Sequence, residues 1–131
     1  MKTIRILIVE DEQIVAEDLQ RTLEKLGYTV IAQTAYGKDA ITQAGSTSPD
    51  LVLMDINLKG DTDGVQAAEV ISWLYNIPVI YLTAFSNDPR FHEITRTNRF
   101  GYLAKPYQER DLQAAIENAM KLSQQKETIA E

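Results

Sequence analysis

Short aliphatic runs alternate along this chain with longer stretches in which apolar residues return every three or four positions. The runs at 4–9 (IRILIV), 29–32, 51–54 (LVLM), 79–82 (VIYL) and 102–104 (YLA) predict five strands. A near-continuous apolar run bounded by turn residues suits a strand that is buried on both faces. The intervening stretches predict helices. Over 13–26, Val15, Leu19, Leu23 and Leu26 share one face, and Gly27 follows as the residue best able to end a helix in a left-handed conformation. Further helices are predicted over 38–44, over 64–75 with Val65, Ala68, Ile71 and Leu74 inward, and over 87–97 with only Phe91 and Ile94 as an apolar face. A last one is predicted over 109–125 with Leu112, Ala115, Ile116, Ala119 and Met120 inward. Parallel strands need crossover connections, and helices in those crossovers cover both faces of a sheet. The pattern therefore predicts an α/β fold, a doubly wound five-stranded parallel sheet with five helices. It occupies 1–125 as one domain, and 126–131 are set apart as a tail or the start of a linker.

Bulk properties narrow the class of function. A chain of 131 residues, 44% hydrophobic and 24% charged, has the composition of an ordinary globular domain. No apolar run approaches the roughly 20 residues of a membrane span. Residues 1–5 carry no export signal, so a cytoplasmic location is expected. The absence of cysteine excludes disulfides, thiolate metal sites and thiol catalysis. A net charge of -6 disfavours a phosphate-binding surface, so no direct nucleic-acid binding is expected.

The chemistry lies at the strand ends. In doubly wound sheets the functional crevice lies beyond the carboxyl ends of the strands. Strand one ends in Val9-Glu10-Asp11, strand three in Met54-Asp55-Ile56-Asn57, strand four in Leu82-Thr83 and strand five in Ala104-Lys105-Pro106. Carboxylates converging from two strands repel one another, and an oxygen-seeking divalent cation such as Mg²⁺ removes that cost. A hydroxyl and an ammonium complete a set suited to a phosphoryl group. Asp55 is its nucleophile, and Thr83 and Lys105 meet the phosphoryl oxygens. Glu10 or Asp11 taken singly would pass for a helix cap, and Thr83 for a β-former at a strand end; it is their combination that points to chemistry. His92 reads as a surface residue, and Arg90, Arg96 and Arg99 suit a solvated face or a docking patch equally.

The ordered series ILIVEDE, LVLMDINLKGDTDG, IPVIYLTAF and GYLAKPY resembles the receiver domain of two-component response regulators over nearly the whole chain. The resemblance implies a flavodoxin-like sheet of strand order 2-1-3-4-5. It implies Asp55 as phosphoacceptor, Glu10 and Asp11 as the acidic pair with Asp11 the direct Mg²⁺ ligand, and Asn57 as a metal ligand through its backbone carbonyl. Thr83 and Tyr102 correspond to the switch pair, Lys105 to the phosphate lysine, and Lys105-Pro106 to a cis peptide. It further implies a signalling module and not an enzyme, phosphorylated by a histidine kinase or phosphotransfer protein. Its output would pass to an effector through a face made by the fourth helix, fifth strand and fifth helix, where Phe91, Ile94, Arg96 and Arg99 lie, with self-association as a further use of that face.

The chain departs from the family's usual pattern at Glu10, where Asp is commoner, which makes a water-mediated metal contact the expectation there. It departs again at Lys59, where Pro is frequent, in a loop one residue longer before Asp63-Gly64. Three rival readings fit less well. A haloacid-dehalogenase-like phosphatase needs a second Asp where this chain has Asn57, together with a cap-sized insert. A flavodoxin-like redox module needs a hydroxyl- and Gly-bearing loop after strand one, where VEDEQ would repel phosphate. A phosphate-independent, protein-binding receiver is a third alternative, but no residue of the phosphoryl set is missing.

Overall fold

The structure, a computed structural model, describes residues 3–56, 58, 64–84 and 100–130, the side chains of 125–130 excepted. The elements run β1 (Arg5–Val9), α1 (Gln13–Lys25), β2 (Thr29–Thr34), α2 (Gly37–Thr47), β3 (Leu51–Asp55), α3 (Gly64–Tyr75), β4 (Val79–Thr83), β5 (Tyr102–Ala104) and α4 (Glu109–Ala130). The strands form one parallel sheet of order β2-β1-β3-β4-β5, as the resemblance implies. Four of the five expected helices lie among the described residues. The helix expected over 87–97, with Phe91, His92, Ile94, Arg96 and Arg99, lies outside them. The last helix continues to Ala130, through most of the segment expected as a tail.

Two-residue periodicity divides each central strand between two cores. Ile6 and Ile8, Leu51 and Leu53, and Ile80 and Leu82 pack with Leu19, Leu23, Leu112 and Ile116 of α1 and α4. Their alternates Leu7 and Val9, Val52 and Met54, and Val79 and Tyr81 pack with Ala40 and Ala44 of α2 and Ala67 and Ile71 of α3. A strand apolar at every position is thus a strand with a helical layer on each side. The inward face of α1 centres on Ala16, Leu19 and Leu23, with Val15 and Leu26 half-buried at its margins. In α3 the expected inward Leu74 is 52% exposed, and Ala67 joins Ala68 and Ile71 inside instead.

Local signals at the ends of α1 and β2 have clear structural outcomes. Gly27 has φ +98°, its N–H donates to the Glu24 carbonyl, and the Tyr28 N–H reaches back to the Leu23 carbonyl. This six-to-one bond closes the helix in a turn that a Cβ would strain. β2 runs two residues beyond its predicted end. The partner of β1 steps from Val30 opposite Ile6 to Ala32 opposite Leu7, which leaves Ile31 as an extra residue in a bulge. Among the described residues no helix is long and apolar enough to cross a membrane.

Candidate functional site

Sheet register brings the strand-end residues together. Val9 lies opposite Met54, so Glu10 comes beside Asp55, and the Glu10 N–H extends the ladder to the Thr34 carbonyl. Asp55 lies opposite Leu82, and the Ile56 N–H donates to the Leu82 carbonyl at 3.2 Å. Thr83 lies opposite Ala104, and the Lys105 N–H donates to the Thr83 carbonyl at 2.7 Å. Glu10, Asp55, Thr83 and Lys105 therefore spring from backbone that lies in the sheet or extends its ladder by one hydrogen bond.

One carboxylate oxygen from each of Glu10, Asp11 and Asp55 lies within 4.8 Å of the other two. Glu10 and Asp55 are buried, at 5% and 7% exposure, while Asp11 is half-buried. Lys105 Nζ sits between the two buried acids, 3.0 Å from Glu10 Oε1 and 3.3 Å from Asp55 Oδ2. The other Glu10 oxygen, Oε2, accepts the Glu12 N–H at 3.2 Å. Burial of the ammonium works against its charge. The hydrogen bond to Glu10 and the negative charges of Asp55 and Glu10 outweigh that cost and hold the Lys105 pKa above the ordinary lysine range. Tyr107 stands close by; burial pushes its phenol pKa up, Lys105 pulls against the rise, and Glu10, Asp18 and Asp55 add to it.

Of the residues expected at the site, Glu10, Asp11, Asp55 and Lys105 meet in one cluster. Thr83 is 2% exposed at the end of the adjoining strand. Tyr102 lies opposite Tyr81 on β5, 40% exposed, on the same face of the sheet as Thr83. Lys105-Pro106 is cis. Asn57, expected as a metal ligand, lies outside the described residues, as do Lys59 and Asp63. An all-oxygen set of three carboxylates fits a hard divalent cation and would be a poor site for a soft one.

Two contributors escaped the sequence reading. Gly64 opens α3 so close to β3 that a Cβ there would lie 2.0 Å from the Asp55 carbonyl oxygen and 2.7 Å from Ile56 Cα. Its signal was a glycine at the boundary between a polar loop and an apolar-periodic helix. Tyr107 lines a cavity of about 360 Å³ with Lys105, Pro106 and residues of α1, among them Val15, Asp18 and Leu19. Only its nearness in sequence to Lys105 hinted at that.

Known proteins with this architecture carry comparable sequences. The transcriptional regulatory protein PdtaR of Mycobacterium tuberculosis is 35% identical over 116 residues, 88% of this chain and 56% of that protein. The phyllosphere-induced regulator PhyR of Methylorubrum extorquens is 34% identical over 116 residues, 88% of this chain and 43% of that protein. The chain thus spans about half the length of these curated relatives. The signal receiver domain of a modulated diguanylate cyclase from Desulfovibrio desulfuricans superposes with a TM-score of 0.89 at 36% identity, covering 95% of this chain and 99% of that one. A family model described as the response regulator receiver domain matches residues 6–117, from the first core residue of β1 into α4. Sheet order, register and sequence agree on a single conclusion: this chain belongs to the response regulator receiver domain family.

Proposed function

We propose that the chain accepts a phosphoryl group on Asp55 from a phosphohistidine of a kinase or phosphotransfer protein, and that this event resets a protein-binding surface. The observation that carries the reading is the cluster of three carboxylates at the ends of β1 and β3, two of which, Glu10 and Asp55, hold one lysine from the end of β5. An Asp55 oxygen forms a bond to phosphorus while the bond from phosphorus to the donor nitrogen breaks, and the electron pair leaves with the imidazole. The Lys105 ammonium, already 3.3 Å from Asp55, is placed to follow the negative charge onto the phosphoryl oxygens. Asp11 and Asp55, with Glu10 beside them, would hold Mg²⁺, which neutralises phosphoryl charge when bound. The phosphate so held is a signal, and the domain is a signalling module of a two-component system.

Thr83 and Tyr102 are proposed to carry that signal outward. Thr83 is buried at the end of β4, next to the strand that bears Asp55, and Tyr102 is part-exposed on the same sheet face one strand further on. A phosphoryl group that draws in the Thr83 hydroxyl would free space for Tyr102 to turn inward, reshaping the surface offered to an effector or a second copy of the chain. A ligand moves such an equilibrium only by its differential affinity for the two states, so a few kcal/mol, roughly, is enough.

The deciding measurement is intact mass after incubation with acetyl phosphate and Mg²⁺. One added phosphoryl group is expected on the parent and none on Asp55→Asn, whose amide is nearly isosteric. Rapid turnover of acetyl phosphate without accumulation of the adduct would favour a phosphatase instead, and full labelling of the Asn variant would remove Asp55 from the role.

A further inference from the structure

The cavity of about 360 Å³ on the flank of α1 lies outside the cluster of strand-end acids, and the phosphoryl chemistry at Asp55 does not use it. Its volume falls within the range of small-molecule sites, roughly 300–1,000 Å³. Val15 and Leu19 of α1, Pro106 and the ring of Tyr107 give it apolar walls. Leu19 belongs to the core beneath α1 and α4, and Tyr107 packs against that core, so these walls are fixed by the fold. The polar side chains around the cavity are of two kinds. Three are engaged within the protein: Lys105 with Glu10 and Asp55, Glu109 with Lys25 at 3.2 Å, and the Thr22 hydroxyl with the Asp18 carbonyl at 3.1 Å. Two are not. Among the described residues the exposed Asp18 carboxylate forms no ion pair and accepts no hydrogen bond, and the Tyr107 hydroxyl has no hydrogen-bond partner.

These two groups and the walls between them define what a ligand must carry. An anion is disfavoured, because Asp18 and Glu109 both line the cavity and its one ammonium, that of Lys105, is already matched by two carboxylates. A planar cation with two N–H groups can meet both oxygens of a carboxylate at once, the strongest form of such a contact. A flat apolar body suits the surface formed by Pro106 and the Tyr107 ring. We propose that the cavity is a binding site for a small organic cation with a flat apolar body, such as an aromatic amidine. Its charged group pairs with Asp18 and its body lies against Val15, Leu19, Pro106 and Tyr107. The site needs neither a metal ion nor a phosphoryl group, so it goes beyond the reading of Asp55 and does not rest on it.

The test is a titration of the full ¹⁵N-labelled chain, followed by amide chemical shifts, with benzamidine and with benzamide, its neutral counterpart of nearly the same shape. Benzamidine should give saturable shifts centred on Val15, Asp18, Leu19 and Tyr107, with a Kd of about 1 mM, as befits so small a ligand. Benzamide should bind about tenfold more weakly, and Asp18→Asn should weaken benzamidine by a similar factor, since the contact it loses is charge-assisted but open to solvent. Tyr107→Phe should weaken benzamidine by about threefold through loss of the hydroxyl. Shifts that fail to saturate or centre elsewhere would overturn the proposal, as would equal affinity for benzamide and benzamidine in the parent, a comparison that needs no variant to fold. N-acetylarginine methylamide serves as the last probe: tighter binding than benzamidine at the same residues would assign the cavity to a basic side chain of a protein partner and refute the small-molecule reading.

Discussion

Replacing Lys105 with Met should expose how much of this site's stability depends on one cation. Lys105 Nζ lies 3.0 Å from Glu10 and 3.3 Å from Asp55. At an effective dielectric constant of about 20, each contact is worth roughly 5 kcal/mol of attraction. Most of that is cancelled by the hydration the ammonium and carboxylates give up, and the 26% exposure of the lysine side chain lets solvent screen what remains. Met fills most of the volume and leaves the Glu10 carboxylate buried without a cation, so a net loss of about 2–4 kcal/mol is expected, near the lower end of what breaking a buried pair costs. For a chain of this length that corresponds to a fall in Tm of about 10 °C. The assay is urea and thermal unfolding in EDTA, repeated with Mg²⁺, of the parent, Lys105→Met and Lys105→Met/Glu10→Gln. If the loss is the cost of an uncompensated charge, neutralising Glu10 should recover about 1–2 kcal/mol, and Mg²⁺ should stabilise the single variant more than the parent. A Lys105→Met protein within about 0.5 kcal/mol of the parent in EDTA, or a double variant weaker than the single one, would refute the reasoning.

Three further outcomes are expected. Mg²⁺ should raise the Tm of the parent in a concentration-dependent way, and Asp11→Ala should lose most of that rise, since it removes the most accessible carboxylate of the cluster; an unchanged response would place the ion elsewhere. Gly64→Ala should cost about 2–4 kcal/mol in urea unfolding and slow phosphorylation, because its Cβ would meet backbone at 2.0 Å that can yield only by shifting Asp55; a neutral outcome would mean that α3 does not close on β3 in this way. At alkaline pH the raised folded-state pKa of Lys105 makes its contribution complete below the unfolded value of about 10 and lost as the pH climbs through the folded one. The raised pKa values of Tyr107 and Tyr28 act in the same direction, because the unfolded chain ionises its tyrosines first. Stability should therefore fall above about pH 10, less steeply in Tyr107→Phe, and a flat profile between about pH 9 and 11 would contradict both shifts.

Much of the molecule was legible before any coordinates, and the reason is local. Whether a segment is strand or helix shows in the period of its apolar residues, so the five runs from IRILIV to YLA and the inward faces of α1 and α4 could be read from the chain alone. Strand ends are equally local, and a carboxylate that closes an apolar run, as Asp55 does, has nowhere to point except the crevice beyond the sheet. What the sequence left open depends on distance through space. The choice of Ala67 over Leu74 as an inward residue of α3, and the extra residue at Ile31, follow from how neighbouring elements meet and leave no mark in periodicity. Gly64 reads as a loop glycine until α3 is seen to press on the Asp55 carbonyl. Lys105 and Glu10 are 95 positions apart, and Lys105 and Asp55 are 50 apart. Sequence pattern could put all three at the same end of the sheet, but strand order, register and rotamer together decide that Glu10 grips the lysine more closely than Asp55 does, because a difference of 0.3 Å between two contacts is a property of packed atoms and not of residue types.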